Sequence, residues 1–142
     1  MTTLTDDLQR ARSIEELQPL VATIPFARFL GFSIQRDGTD VIGRMDFAEQ
    51  RLGNARIGAV HGGAIGALLE LTAICKLLSI ARTARVPKTV NITVEYLRSA
   101  QSVDTFARAT VTRQGRRVAN VRVLAYQDDA AKPAAAADGR LP

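Results

Sequence analysis

The sequence predicts an α+β fold in which one antiparallel β-sheet wraps around a single long central helix. Three observations carry that reading. The stretch "AVHGGAIGALLELTAIC", from Ala59 to Cys75, opens on two glycines and then turns apolar almost all the way round, so its helix must be buried on most of its surface. Segments of alternating polarity lie on both sides of it, and short connections join the later ones, as neighbours in one antiparallel sheet require. The chain has 142 residues, the size of one domain with a sizeable core.

The elements follow in chain order. Two helical segments come first, making residues 1–25 an N-terminal helical segment of a single domain spanning 1–142. Ser13 with Glu16, in "SIEEL", is a capping-box pattern that starts the second of them. "FSIQRDGTDVIGRMDF" reads as two strands joined by a turn at Asp37–Gly38. A loop, "AEQRLGNARIG", leads into the central helix, which is expected from about Gly62 to about Ala84, with Pro87 beyond its end. "TVNITVEYL" alternates, with Val90, Ile92, Val94 and Tyr96 on one face and Thr89, Asn91, Thr93 and Glu95 on the other. "DTFARATVTR" and "VANVRVLAYQ" flank a hairpin turn at "QGRR". In the tail "PAAAADGRLP" alanine favours helix, but Pro133 and Gly139 interrupt it, so it is read as a closing edge strand.

Composition narrows the function. One cysteine, Cys75, excludes an internal disulfide framework, and one histidine and one cysteine cannot build a zinc site, so no metal is expected. No apolar run approaches a membrane span, the N-terminus does not read as a secretory signal, and the expected compartment is the cytoplasm. Net charge is +5, and 16 of the 19 basic residues are arginine. These arginines are scattered from Arg10 to Arg140, and the aromatic residues do not interleave with a basic patch, which argues against nucleic acid. A phosphate-bearing small ligand is a better use for a modest positive excess.

One residue breaks the pattern of the central helix. Thr72, Lys76, Ser79 and Thr83 form a polar stripe, and Glu70 lies roughly 150° from its middle, away from what should be the solvated face. An unpaired carboxylate among apolar groups is costly. It reads either as a structural glutamate that meets an arginine from a strand, or as a general base or nucleophile in a ligand pocket. The helix start favours the second reading. Gly62 and Gly63 place bare N–H groups at the positive end of the helix dipole, where a carbonyl oxygen turning into an oxyanion can be held. His61 reads as a hydrogen-bonded residue that fixes the loop before the helix, and Cys75 as a small core residue. Arg116 and Arg117, the adjacent arginine pair, sit at a hairpin turn where side chains reach solvent.

From about Phe26 to Leu141 the chain resembles the hotdog-fold acyl-CoA thioesterases, specifically their phenylacetic-acid-degradation (PaaI-like) branch. The centre of the resemblance is "HGGAIGALLE", a His-Gly-Gly with an acid nine residues after the histidine. "TVNITVEYLRSA" and "GRRVANVRV" resemble the family's strand after the helix and its hairpin across the sheet. The resemblance implies hydrolysis of a thioester between an acyl group, medium-chain or aromatic, and coenzyme A. Coenzyme A enters as part of the substrate, and no separate cofactor is expected. Carried over, the Gly62 N–H polarises the thioester carbonyl, Glu70 activates water or attacks directly, and His61 supports the loop. Thr89 helps to place the water. Gly63 falls on the substrate side. Arg116 and Arg117, the adjacent arginine pair at a solvent-facing turn, read from the charge pattern either as substrate-binding residues against the coenzyme A phosphates or as a solvated turn. Relatives often carry asparagine where this chain has Ala55, and Asn54, one position away, is the candidate for that contact. In "RSA", at Arg98–Ala100, a serine replaces the usual proline.

Spacing constrains the site. Gly62 and Glu70 are eight residues apart, about 12 Å along a helix. An oxyanion donor and a base must both lie about 3 Å from one reacting group. One straight helix cannot supply both, whereas two antiparallel helices side by side in a two-fold dimer can. A homodimer or homotetramer with composite sites is therefore expected. The alternatives are a hotdog acyl-thioester dehydratase or hydratase, and a non-catalytic acyl-CoA binding protein. His61 and Glu70, about 13 Å apart on one helix, are too distant to act together within one chain as a lyase pair.

Overall fold

A computed structural model of the protein describes residues 3, 4, 6, 7, 11, 13–80 and 86–142. The first expected N-terminal helix falls largely outside these residues. The second is α1 (Ile14–Val21), whose cap Ser13 accepts the Glu16 N–H at 3.2 Å. A further short helix, α2 (Pro25–Leu30), has proline in its first turn and ends at Gly31, whose φ of +68° suits a residue without Cβ. β1 (Phe32–Asp37) and β2 (Asp40–Met45) form the expected hairpin around Gly38.

The segment before the central helix is more ordered than a loop. A single 3₁₀ turn at Glu49–Arg51 leads into a small ribbon of β3 (Leu52–Asn54) and β4 (Ala59–Val60). The central helix is α3 (Gly62–Ile80). Its expected continuation to Ala84, with Thr83, lies outside the described residues. β5 (Asn91–Tyr96), β6 (Thr105–Gln114), β7 (Ala119–Tyr126) and β8 (Ala135–Leu141) complete one six-stranded antiparallel sheet in the order β1-β2-β6-β7-β8-β5.

Packing follows from side-chain size. Ile65, Leu68, Leu69, Ala73, Leu77 and Leu78 of α3 are buried against the inner face of the sheet. Opposite them the strands carry Val41, Val121 and Val123 among small residues, Ala107, Ala109, Ala125, Ala135 and Ala137. The alanines let a bulky helix approach a curved sheet closely. Burying each leucine contributes about 1.5–3 kcal/mol.

Three expectations are corrected. β8 is not an edge strand. Its short buried side chains fit beneath the helix, its backbone pairs with both β7 and β5, and β5 becomes the edge. The polar stripe of α3 is not its solvated face either. Thr72 is fully buried against Gly43, where any Cβ would collide with its hydroxyl, and it donates to Leu68 O at 2.7 Å. Lys76 reaches Asp40 at 3.3 Å, and Ser79 donates to Lys76 O at 2.7 Å. Each polar group finds a partner, so the stripe can face β2 instead of water. Finally, α3 is long and apolar enough to cross a membrane by length and composition alone, with a mean hydropathy of 1.7. Its leucines are taken up by the sheet, which is why its composition mimics a span.

Candidate functional site

The head of α3 is clamped. His61 N–H donates to Arg51 O at 2.7 Å, and His61 O accepts the Ala64 N–H at 3.0 Å. The peptide unit between Gly62 and Gly63 is held at both ends. Its carbonyl accepts the Tyr96 hydroxyl at 2.8 Å, and its N–H donates to His61 Nδ1, also at 2.8 Å. With Nδ1 accepting, the neutral imidazole carries its proton on Nε2. The peptide planes on either side of Gly62 are therefore fixed, and its own N–H is left without an acceptor among the described residues. That N–H stands at the positive end of a 19-residue helix. A cleft of about 360 Å³ opens beside it, with Val60, Gly62, Ile65, Tyr96 and Arg98 among its lining residues. No side chain fits comfortably on the clamp: a Cβ on Gly62 would lie 3.2 Å from the Tyr96 ring, and one on Gly53 would lie 2.8 Å from His61 Cα.

Arg51 supports this clamp from behind. It is buried, and it forms no ion pair among the described residues. Its guanidinium donates to Asp46 O at 2.7 Å and to Phe29 O at 2.8 Å, lying over Gly31, where a Cβ would be 2.8 Å away. The charge rests at the C-terminal end of α2, where carbonyl groups lack helical partners. Side chain and backbone of one residue thus tie α2, the end of β2 and the histidine together.

Glu70 lies on the other side of the helix from Thr72. It is half-buried, with no hydrogen bond or ion pair among the described residues. It shares a partly exposed stripe with Gly63, Gly66, Ala67 and Ile74, at helical spacing. Its separation from Gly62 along the helix is about 12 Å, so one chain does not bring the two together. Thr89 is placed elsewhere again. Tyr96, at one end of β5, touches Gly62, while Thr89 precedes the other end, roughly 20 Å away at strand rise. Its hydroxyl is buried and has no partner among the described residues.

The remaining expected residues divide. Gly63 N–H is engaged by His61. Asn54 is exposed at the end of β3, its side-chain oxygen accepting the Arg56 N–H at 3.1 Å, and it does not line the cleft beside Gly62. Arg116 and Arg117 are exposed on the β6–β7 turn, at the Thr89 end of the sheet.

A family profile described as Thioesterase superfamily matches residues 57–134, which takes in Gly62, Glu70, Thr89 and the arginine hairpin. The chain belongs to the Thioesterase superfamily. No curated protein matches it. Among solved structures, a phenylacetic acid degradation-related protein of Ralstonia eutropha JMP134 is 25% identical with a TM-score of 0.77, covering 90% of this chain and 97% of its own. A protein of Chromobacterium violaceum is 30% identical with a TM-score of 0.74, over 96% of this chain and 93% of its own. A thioesterase of Haemophilus influenzae, 21% identical with a TM-score of 0.79, shares the fold over 94% and 91%. The sheet around α3 is the hotdog fold of this superfamily.

Within that thioesterase framework, two contributors are not legible as such in the sequence. Tyr96 reads only as the aromatic end of a strand. Nothing local marks Arg51, because its burial depends on the turn at Gly31 and on a carbonyl from α2. Asn54 carried a signal, but its Asx turn back to Arg56 holds the side chain in its own loop.

Proposed function

We propose that this superfamily member hydrolyses acyl-CoA thioesters, medium-chain or aromatic in their acyl group, at composite sites between two copies of the chain. The observation that supports this most is the clamped Gly62: one N–H left free, both flanking peptides fixed, at the head of a long helix beside a cleft. That arrangement suits the thioester carbonyl oxygen, whose charge grows during attack. Glu70 of the second copy takes the proton of a water molecule, whose oxygen adds to the carbonyl carbon. The tetrahedral oxyanion faces the Gly62 N–H and collapses, expelling the thiolate of coenzyme A, which receives the proton. Alternatively Glu70 attacks the carbonyl itself and expels the thiolate of coenzyme A, and water then cleaves the resulting anhydride to the acid and the free glutamate, its proton passing to the thiolate. Thr89 places the water, a use for a buried hydroxyl that has no partner among the described residues.

The half-open stripe around Glu70 and the exposed edge β5, with Val90, Tyr96 and Leu97 uncovered, favour a second copy beside α3. The same pairing is compatible with a homodimer or a homotetramer. The test is a panel of acyl-CoA substrates with a thiol-reactive dye. Free coenzyme A reports hydrolysis, an altered acyl chain reports a lyase, and heat protection without turnover reports a binding protein. The dye reads product alone, because Cys75 is buried and burial pushes its thiol up to about 12. Heavy-oxygen water in a single turnover tests the nucleophilic role: label in Glu70 requires an anhydride cleaved at its glutamyl carbonyl, and trapping of an acyl-Glu70 by hydroxylamine detects the anhydride when water attacks its acyl carbonyl and the label enters the acid.

A further inference from the structure

One wall of the cleft beside Gly62 is a loop. Residues 97–104 connect β5 to β6 without helix or strand, and Leu97, Arg98, Ser99 and Ala100 line the cleft together with Gly62 and Ile65. An irregular segment keeps one shape only where its peptide groups are held. The start of the loop is held by the sheet: the N–H groups of Leu97 and Arg98 both donate to Ala134 O, at 2.8 and 3.1 Å. Its last residue, Asp104, accepts the Phe47 N–H at 2.8 Å and pairs with Arg44 at 2.7 Å.

Gln127 holds the middle. It directly follows β7 and is half-buried. Its Oε1 accepts the Gln101 N–H at 2.9 Å, and its Nε2 donates back to Gln101 O at 2.9 Å. A primary amide carries donor and acceptor in one plane, so it can pair with both backbone groups of one residue as a neighbouring strand would. The same Nε2 lies 3.2 Å from Thr105 Oγ1, at the fully buried first residue of β6, and 3.4 Å from Val103 O.

The bond to Gln101 bears on the cleft through the peptide unit it completes. The carbonyl of the Ala100–Gln101 peptide accepts the Val60 N–H at 3.0 Å, and its N–H is taken by Gln127. Ala100 is buried and Val60 precedes His61; both line the cleft. A peptide bound at both ends has a fixed plane, as at Gly62–Gly63. The device that aims the donor on one wall is built a second time on the other.

We propose that Gln127 is a positioning residue for substrate binding: it fixes the Ala100–Gln101 peptide, and with it the wall that the substrate meets beside the Gly62 N–H. The proposal rests on the acyl-CoA reading above. It separates binding from chemistry. His61 and Tyr96 orient the donor, and Tyr96 keeps its place as the register partner of Ala135 within the sheet. A loosened wall therefore weakens ground state and transition state alike, which raises KM and spares kcat.

The test compares wild type with Gln127→Ala and Gln127→Met on acyl-CoA thioesters of increasing acyl length. Methionine keeps the length of the side chain without its hydrogen bonds, so it serves if the alanine variant fails to fold. Val111→Ala is the control for lost stability: it is packed against the core on β6, about 20 Å along the strand from Thr105. The expected result is a KM about 5- to 20-fold higher in both Gln127 variants, kcat within about twofold, and a flatter preference across the acyl series. Val111→Ala should melt earlier with KM and preference unchanged. Amide hydrogen exchange reads the loop itself: residues 99–103 should exchange faster in the Gln127 variants and at the wild-type rate in the control. Unchanged KM, a KM rise matched by Val111→Ala, or unchanged exchange would overturn the proposal. So would a fall in kcat at constant KM, which would tie Gln127 to the donor instead of the wall. If the wild type hydrolyses none of the thioesters, the acyl-CoA reading fails by itself, and titration with a non-hydrolysable S-alkyl coenzyme A thioether decides the role of Gln127. A dissociation constant raised by the same factor in the Gln127 variants supports it; equal affinities, or no binding by the wild type, overturn it.

Discussion

At the head of α3 the peptide groups on both sides of Gly62 are fixed by neighbours in the same chain, whereas two turns further on Glu70 has no partner at all among the described residues. The two regions lie on one helix and differ in what the chain does for them. The head is preorganised: histidine, tyrosine and an arginine-held loop leave one N–H free. The middle carries a carboxylate on a half-open, mostly apolar stripe. In the composite site proposed above, a complete donor and an unpartnered carboxylate, about 12 Å apart on one helix, are halves that a second copy joins. Each experiment below acts on one half or on the join, beginning with the largest expected effect.

Glu70→Gln removes the carboxylate and keeps its shape. Turnover should fall about 10²–10⁴-fold if the residue is a general base, and further if it is the nucleophile. The amide has no buried charge to solvate, so thermal unfolding should stay within a few degrees of wild type. A near-wild-type rate would remove Glu70 from the chemistry, and a collapsed fold would make it structural.

The join is tested by complementation. Glu70→Ala removes the proposed base, and Gly62→Pro removes the donor N–H at a helix's first position, where the backbone of proline is tolerated, although its ring carbons require the Tyr96 side chain, 3.2 Å from a Cβ there, to shift. Each variant alone should be inactive. Co-refolded in equal amounts, random two-fold pairing gives hybrids with one intact site, and about a quarter of wild-type activity should return. Folded hybrids without activity would place both groups in one chain, or exclude Gly62 as the donor.

How much of this was legible before the structure depended on how far apart the partners lie. The hairpin at Gly38, the cap at Ser13 and the long apolar helix are written in local spacing, and they appear as read. The polar stripe of α3 departs from its local reading because what satisfies it is remote: Asp40 for Lys76, and the bare face of Gly43 for Thr72. Whether the alanine-rich tail is an edge or an interior strand depends on β5 coming to pair with it, a contact some 45 residues away. His61 was legible as a residue that fixes the loop. The adjacent arginines Arg116 and Arg117 stand out in sequence, but Gln127 reads only as the end of a strand, because its partner Gln101 lies 26 residues away.

Arg51→Met is the next smaller effect, and it acts on the head alone. The substitution leaves Asp46 O and Phe29 O without their donor and frees the loop whose carbonyl holds His61. Losing two hydrogen bonds to a charged group destabilises by about 3–6 kcal/mol before relaxation. The clamp is loosened but not removed, so kcat should fall about tenfold with KM little changed, because a misaimed donor weakens the transition state more than the ground state. Arg51→Lys, which can still reach one carbonyl, should recover part of kcat. A variant with lowered stability and unaltered kcat would make Arg51 a structural tie with no bearing on the donor.

The smallest expected effect tests the clamp itself. Tyr96→Phe deletes one hydroxyl, which donates to Gly62 O at 2.8 Å from a side chain that is 58% exposed in the single chain. Exposure makes the bond cheap to replace by water, so stability should hardly move. The bond's second consequence is geometric. It holds the carbonyl of the same peptide whose N–H is bound by His61, and water in its place does not fix that plane. The variant should therefore lose about three- to tenfold in kcat, with unchanged unfolding and unchanged KM. His61→Ala, which releases the other end of the same peptide, should lower kcat further. The double variant should lose less than the product of the two single losses, because both act on one peptide plane. Fully independent losses would mean that the tyrosine and the histidine do not share a function, and that the clamp at Gly62 is two unrelated contacts.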